Sequence, residues 1–180
     1  VPAEDLIVQV REGGNGAALE AINRLKEQLH LQDGTLHDAD LQKANLKGVK
    51  MARADLRGAV LENATLTGCY LGVTNLEGAN LRGAKLNQAN LREVKLSSAD
   101  LTGADLRETH MAVADLRGSV LVDAVLQRAN LWGAKLQGAN LQNADVAGAN
   151  FERAEFDTST ILPDGSNWSP EIDLVDFVAS

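Results

Sequence analysis

From Leu36 to Ile161 every fifth residue is a medium or large apolar side chain, and the register runs through twenty-six centres: twenty leucines, Met51, Met111, Val146, Phe151, Phe156 and Ile161. Two residues before each centre stands a small one, alanine in eighteen of the twenty-six units, as in Ala39-Asp40-Leu41 and Ala79-Asn80-Leu81. A spacing of five suits neither regular element. A helix would scatter such positions around its circumference, and a strand would send them alternately to its two faces. The chain must therefore turn within every unit so that each centre again points inward, and the sequence speaks more of architecture than of activity.

The rest of the unit fits that requirement. Glycine follows the centre by two residues at Gly48, Gly58, Gly83 and several later units. This is the third position of a corner turn, where type II geometry needs positive φ. Units with Glu, Gln or Ser at that position are expected to turn differently. The residue before the centre alternates between Asp (Asp40, Asp55, Asp100, Asp105, Asp115) and Asn (Asn45, Asn75, Asn80, Asn90, Asn130). Free exchange of the two points to a turn-side hydrogen bond or a solvated surface rather than to acid–base chemistry.

The runs Ala44-Asn45-Leu46-Lys47-Gly48 and Ala104-Asp105-Leu106-Arg107-Glu108 resemble the pentapeptide-repeat proteins of bacterial and cyanobacterial type. The resemblance covers residues 34 to about 161, with Val49, Val94, Cys69, Thr74, Thr109, Ser119 and Ser159 replacing the small inner residue. It implies an all-β solenoid, a right-handed quadrilateral parallel β-helix with four pentapeptides per coil. Such a tower has about six and a half coils and stands roughly 30 Å tall at ~4.8 Å per coil. Leu56, Leu76, Leu96 and Leu116 then stack inside one side.

The expected organisation is an N-terminal helical cap over residues 1–33, the β-helix over 34–161 and a C-terminal turn with a short helical cap over 162–180. Residues 4–12 and about 16–30 read as two short helices separated by Gly13-Gly14. Asn15 is the predicted N-cap of the second, whose apolar stripe is Ala18, Leu19, Ile22, Leu25 and Leu29. Helices at this end would cover an open first coil and block end-to-end association. At the other end Leu162-Pro163-Asp164-Gly165 reads as a turn, and Ser169-Pro170-Glu171 as a helix start that lets Trp168, Ile172, Leu174 and Phe177 cover the last coil. The chain begins at Val1 without Met, so a processed piece or a module of a larger chain stays open, as does a removed targeting segment. The expected compartment is the cytoplasm rather than the exterior.

Little in the chain points to chemistry. His30, His37 and His110 fall on different elements without a metal-ligand spacing, no phosphate loop or nucleophile motif occurs, and the single cysteine, Cys69, occupies a small inner slot. No enzymatic activity, cofactor, metal, direct nucleic-acid contact or membrane partner is expected. The family resemblance also raises a DNA mimic that inhibits or protects a type II topoisomerase, and the net charge of −8 invites that alternative. Its location argues against it. Residues 34–161 hold fifteen carboxylates and fourteen Lys or Arg, whereas the excess acids lie before and after them. A mixed-sign rod has no extended negative field with which to imitate DNA.

Folding the register by twenty gathers outward side chains on the side centred on Met51, Leu71, Leu91, Met111, Leu131 and Phe151. They are Tyr70, Val73, Arg92, His110, Val113 and Trp132, with Val120, Val122 and Val125 expected at the same height on neighbouring sides. Exposed aromatic and apolar groups beside arginine are typical of contact surfaces. Aromatic and β-branched residues also suit any exposed strand. The reading reached is a non-enzymatic rigid scaffold for an unidentified protein partner, monomeric or weakly dimeric. Finally, Met51 to Leu66 closely parallels Met111 to Leu126 at an offset of sixty residues.

Overall fold

A computed structural model describes residues 2–28 and 31–179, with the side chains of all but Asn15 and Asp176. From Asp40 to Glu155, parallel bridges join residues twenty apart, as in the column Lys50, Tyr70, Asn90, His110, Asn130 and Asn150. Each unit repeats the same ladder. Leu41 N–H donates to Val60 O (2.8 Å), Lys43 N–H to Glu62 O (2.9 Å), and Val60 N–H back to Ala39 O (3.0 Å). One coil thus consumes four five-residue units, and the units form four columns of sides. The first is centred on Leu56 and Leu76, the second on Leu61 and Leu81, the third on Leu66 and Leu86, and the fourth on Leu71 and Leu91.

From Leu36 to Ala154 every corner closes in one way. Ala44 N–H donates to Leu41 O at 3.1 Å, a four-residue turn, and Lys43 at its third position has φ of 59°. The expected difference between glycine and non-glycine corners does not occur. Gln88 (61°), Glu93 (57°), Ser98 (58°) and Glu108 (56°) adopt the same left-handed conformation as Gly83 (62°). The ladder overrides residue preference here: a corner of another shape would misplace the next centre and break its bonds to the coils on either side.

Inside the tower the centres and small residues form one continuous apolar core. Leu56, Leu76 and Leu116 are fully buried and Leu96 is 1% exposed. The few buried hydroxyls are paired: Thr74 Oγ1 donates to Met51 O (2.9 Å), Thr109 to Leu106 O (2.7 Å) and Ser119 to Leu116 O (2.7 Å). Cys69 fills its inner slot without exposure, and burial pushes its thiol up to about 12, far from the reactive thiolate.

Two helices, α1 (Ala3–Glu12) and α2 (Gly14–Glu27), precede the tower and contribute Leu6, Val10, Ile22 and Leu25 to the same core. Arg11 Nη1 lies 2.7 Å from Asp40 Oδ2 and ties α1 to the first coil. Gly13, not Asn15, occupies the N-cap position of α2. Leu29 and His30 lie outside the described residues.

The C-terminal end corrects the register. After Glu155 the next bridge residue is Ile161, six positions on, so one extra residue has entered. Asp157 absorbs it: Thr160 N–H donates to Asp157 O (2.9 Å), while Asp157 Oδ1 accepts from Ser159 N–H (3.0 Å) and Gly138 N–H (3.1 Å). Ile161 therefore faces outward at a bridge position, Leu162 (1% exposed) is the inward centre, and fully buried Thr160 replaces Ser159 as the small inner residue. Beyond it the chain turns through Pro163 and Asp164, Asn167 pairs antiparallel with Ile161, and Trp168 stacks on Phe156 with centroids 5.8 Å apart. The expected helix at Ser169 is a turn, and the short helix α3 is Val175–Val178.

On the outer surface, Asp-Leu-Arg units form bidentate pairs. Arg57 Nε and Nη2 donate to Asp55 at 2.9 and 2.8 Å, and Arg107 and Arg117 grip Asp105 and Asp115 in the same way. Hydrogen bonds from Arg57 hold the Asp55 carboxyl down at about 2, and His37 Nε2 lies 2.7 Å from it. The folded value lies below the ordinary ~3.9, so this pair stabilises the protein above about pH 4 and its contribution is lost as the pH falls toward 2. Urea titrations across that interval should show a flatter stability profile for Asp55→Asn than for the parent chain. Leu96→Ala should cost about 2–5 kcal/mol as a buried large-to-small change, and a loss under about 0.5 kcal/mol would contradict its burial.

Candidate interaction surface

The fourth side is built from three outward columns. Residues preceding each centre form the bridge column, from Lys50 through Tyr70, Asn90, His110 and Asn130 to Asn150. Residues after the centre are Ala52, Gly72, Arg92, Ala112, Trp132 and Glu152. The corner column is Arg53, Val73, Glu93, Val113, Gly133 and Arg153, all at positive φ. Such columns arise because successive coils repeat the same backbone, so side-chain size alone shapes the relief.

That relief is a trough. Asn90, Arg92, His110, Ala112, Val113, Asn130 and Trp132 line a groove of about 510 Å³, and a second hollow of about 290 Å³ beside Tyr70 and Gln88 meets it at Asn90 and His110. Ala112 forms the floor of a notch between Arg92 and Trp132, which stand one coil to either side. Asn90 Oδ1 accepts Arg92 N–H and Asn130 Oδ1 accepts Trp132 N–H, each at 3.1 Å, which locks the two asparagines against the backbone. The expected Asx hydrogen bond recurs around the tower, as in Asp40 to Gln42 N–H (3.1 Å) and Asn80 to Arg82 N–H (3.1 Å).

Two aromatic residues on this side carry cations over their rings. Lys50 Nζ lies 5.5 Å from the Tyr70 centroid, and the Arg153 guanidinium 5.3 Å from that of Trp132. Tyr70 is 50% exposed, Val73 46% and Val113 41%, with Trp132 partly buried and His110 and Arg92 exposed. The structure thus brings Tyr70, Val73, Arg92, His110, Val113 and Trp132 together on one side.

It does not bring the three remaining valines there. Val120 and Val122 belong to the second side, two units or half a coil from Trp132, and so face the opposite way. Val125 lies on the third side, next to the fourth. All three are only partly exposed. Equal height along the tower does not make residues neighbours: the number of units between them decides which side they share. Lys50 shares the column of Tyr70 in the sequence register, and Arg153 is found by counting in twenties and then looking one coil on from Trp132.

Among the described residues no group of His, Cys, Asp and Glu is placed to hold a metal ion, and no helix is long and apolar enough to cross a membrane. A further groove of about 570 Å³ lies on the third side where Val178 meets Arg128 and Gly148, and it carries no aromatic side chain.

The family model for pentapeptide repeats matches in eight copies over residues 36–72, 74–111, 114–143 and 134–159. The crystal structure of HetL, a pentapeptide repeat protein involved in heterocyst differentiation regulation from the cyanobacterium Nostoc sp. strain PCC 7120, is 37% identical with a TM-score of 0.71. The match covers 74% of this chain and 61% of HetL, so the chain spans about three fifths of that protein's length. Rfr23, a pentapeptide repeat protein from the cyanobacterium Cyanothece 51142, matches at 22% identity over 76% of this chain and 97% of its own, with a TM-score of 0.37. QnrB1, a plasmid-mediated fluoroquinolone resistance protein, matches at 16% identity over 73% and 78%, with a TM-score of 0.43. No curated protein matched the chain by sequence. With its five-residue unit, its twenty-residue ladder and its match to the family model over most of its length, the chain belongs to the pentapeptide-repeat family.

Proposed function

We propose that this chain is a non-enzymatic interaction scaffold, a right-handed four-sided β-helix whose fourth side receives a protein partner. The observation that carries the reading is the pair Val73 and Val113. Both hold left-handed backbone, at φ of 61° and 60°, and among the described residues they are the only β-branched ones at positive φ. That conformation costs a branched residue on the order of 1–3 kcal/mol. Neither valine recovers the cost by burial, since both are large exposed hydrophobics. Gly133 occupies the same column one coil on and adopts the same corner without that cost. Two strained, exposed valines in one column, forty residues apart and beside Tyr70 and Trp132, are what a contact surface needs and a bare scaffold does not.

The surface carboxylates support a non-enzymatic role. Asp105 and Asp115 are held below their usual range first by the side-chain hydrogen bonds of Arg107 and Arg117, which leaves them ionised and engaged rather than poised to exchange protons. HetL's description as involved in differentiation regulation is consistent with a regulatory binding role here. DNA mimicry toward a topoisomerase would call for a continuous acidic surface, and the near-neutral tower offers none.

Opposite effects on folding and binding test the proposal. Val113→Gly should leave the fold as stable as the parent or up to about 2 kcal/mol more stable, by relief of the corner, while weakening partner binding. Trp132→Ala should weaken binding by at least ~2 kcal/mol with the fold retained, the usual threshold for an interface hot spot. Thermal unfolding and titration of the partner recovered from host lysate provide both readouts. Unchanged binding in both variants would return the fourth side to ordinary strand surface.

A further inference from the structure

We propose that the segment received by the fourth side is extended and acidic, with one flat aromatic side chain seated in the notch between Arg92 and Trp132. The inference rests on the reading of the fourth side as the contact face and adds the chemistry of its partner.

Charge is the first argument. The chain as a whole carries −8, yet the fourth side sets Lys50, Arg53, Arg92 and Arg153 against only Glu93 and Glu152, a local net of +2. The opposite, second side has four carboxylates against Lys43 and Arg82, a local net of −2. A positive side on an acidic protein steers acidic partners toward itself and fixes which way they approach. Its cations are also available. Among the described residues Lys50 and Arg53 enter no ion pair, and Arg92 and Arg153 each meet only an exposed neighbour, Glu93 at 3.1 Å and Glu152 at 4.0 Å. Such an exposed pair is worth little and is readily exchanged.

Shape and hydrogen bonding supply the rest. Arg92 and Trp132 stand two coils apart, roughly 10 Å at the usual strand spacing, with only the methyl group of Ala112 between them. That gap accepts one ring against the indole, whose orientation Arg153 already helps to hold at 5.3 Å. From Tyr70 to Asn130 is three coils, roughly 14 Å, the span of four or five extended residues. Along it Asn90 and Asn130, whose carbonyl oxygens accept backbone N–H groups, line the trough with their amide N–H groups as the remaining donors. Those donors suit a segment rich in carboxylates and backbone carbonyls.

The test is selection of a random dodecapeptide phage library on the full chain, repeated on Trp132→Ala, Arg92→Glu and, as an opposite-side control, Arg82→Glu, each verified by circular dichroism. The expected outcome is enrichment of acidic peptides with one aromatic residue. A synthetic copy of the leading sequence should then bind the parent and the Arg82→Glu chain alike and lose about tenfold or more on the other two. Its affinity should also fall as salt rises. Peptides that depend on Trp132 but are neutral or basic would overturn the acidic partner and leave the contact face standing. Absence of any peptide sensitive to Trp132→Ala would overturn both, and displacement of the selected peptide by single-stranded DNA at equal concentration would make the side a nucleic-acid site instead.

Discussion

The parallel ladder between residues twenty apart is the constraint from which the other features follow. It makes every unit donate and accept along the stack, and that satisfies the backbone only if each coil returns to the same place. Identical corners are the consequence. A glycine takes the left-handed corner freely, but Glu93, Gln88 and even Val113 are held in it because the ladder bonds on both sides would fail together otherwise. The inward leucines and alanines follow from the same closure, since two inward positions per unit with a dry interior leave room for one large and one small side chain.

A repeated backbone also divides labour between inside and outside. Interior positions are so restricted that their identity carries almost no information about function; the outer columns are free to vary, and their relief is set by size and charge alone. On the fourth side that freedom is used in a consistent direction, with aromatic rings under cations, two valines at an unfavourable corner and a small residue opening a notch between larger ones. The side opposite carries the reverse charge. The tower is therefore polar across its width although it is nearly neutral along its length.

The period of five and the inward residues were legible in the sequence because both repeat too often to be accidental, and the same count gathered Tyr70, His110 and Trp132 onto one side. Other features were less legible for physical reasons. Local preference alone suggests a different turn at non-glycine corners, and the ladder outranks it. Val120 and Val122 are expected on a side next to the fourth because they share its height, whereas membership of a side depends on the number of units modulo four and puts them opposite. The slip at Asp157 was invisible because Ile161 and Leu162 are both apolar, so either satisfies the pattern; only the pairing of Ile161 with Asn140 decides. At Ser169 the proline at a favourable first position starts only a turn, closed by Ile172 N–H on Ser169 O at 3.1 Å, and the helix begins at Val175.

Coil closure also acts as a gear on the evolution of such a chain. Inserting a single pentad within the ladder would rotate everything after it by a quarter turn and shear every outer column, while the interior, being the same on all sides, would hardly register the change. Inserting twenty residues would lengthen the tower and leave all columns aligned. The parallel between Met51 to Leu66 and Met111 to Leu126, offset by sixty residues, is a whole number of turns and keeps both copies on the same bearings. Growth that is silent to the core is therefore filtered by the surface, and the lengths open to a descendant of this protein are quantised by what its outer columns must keep in line.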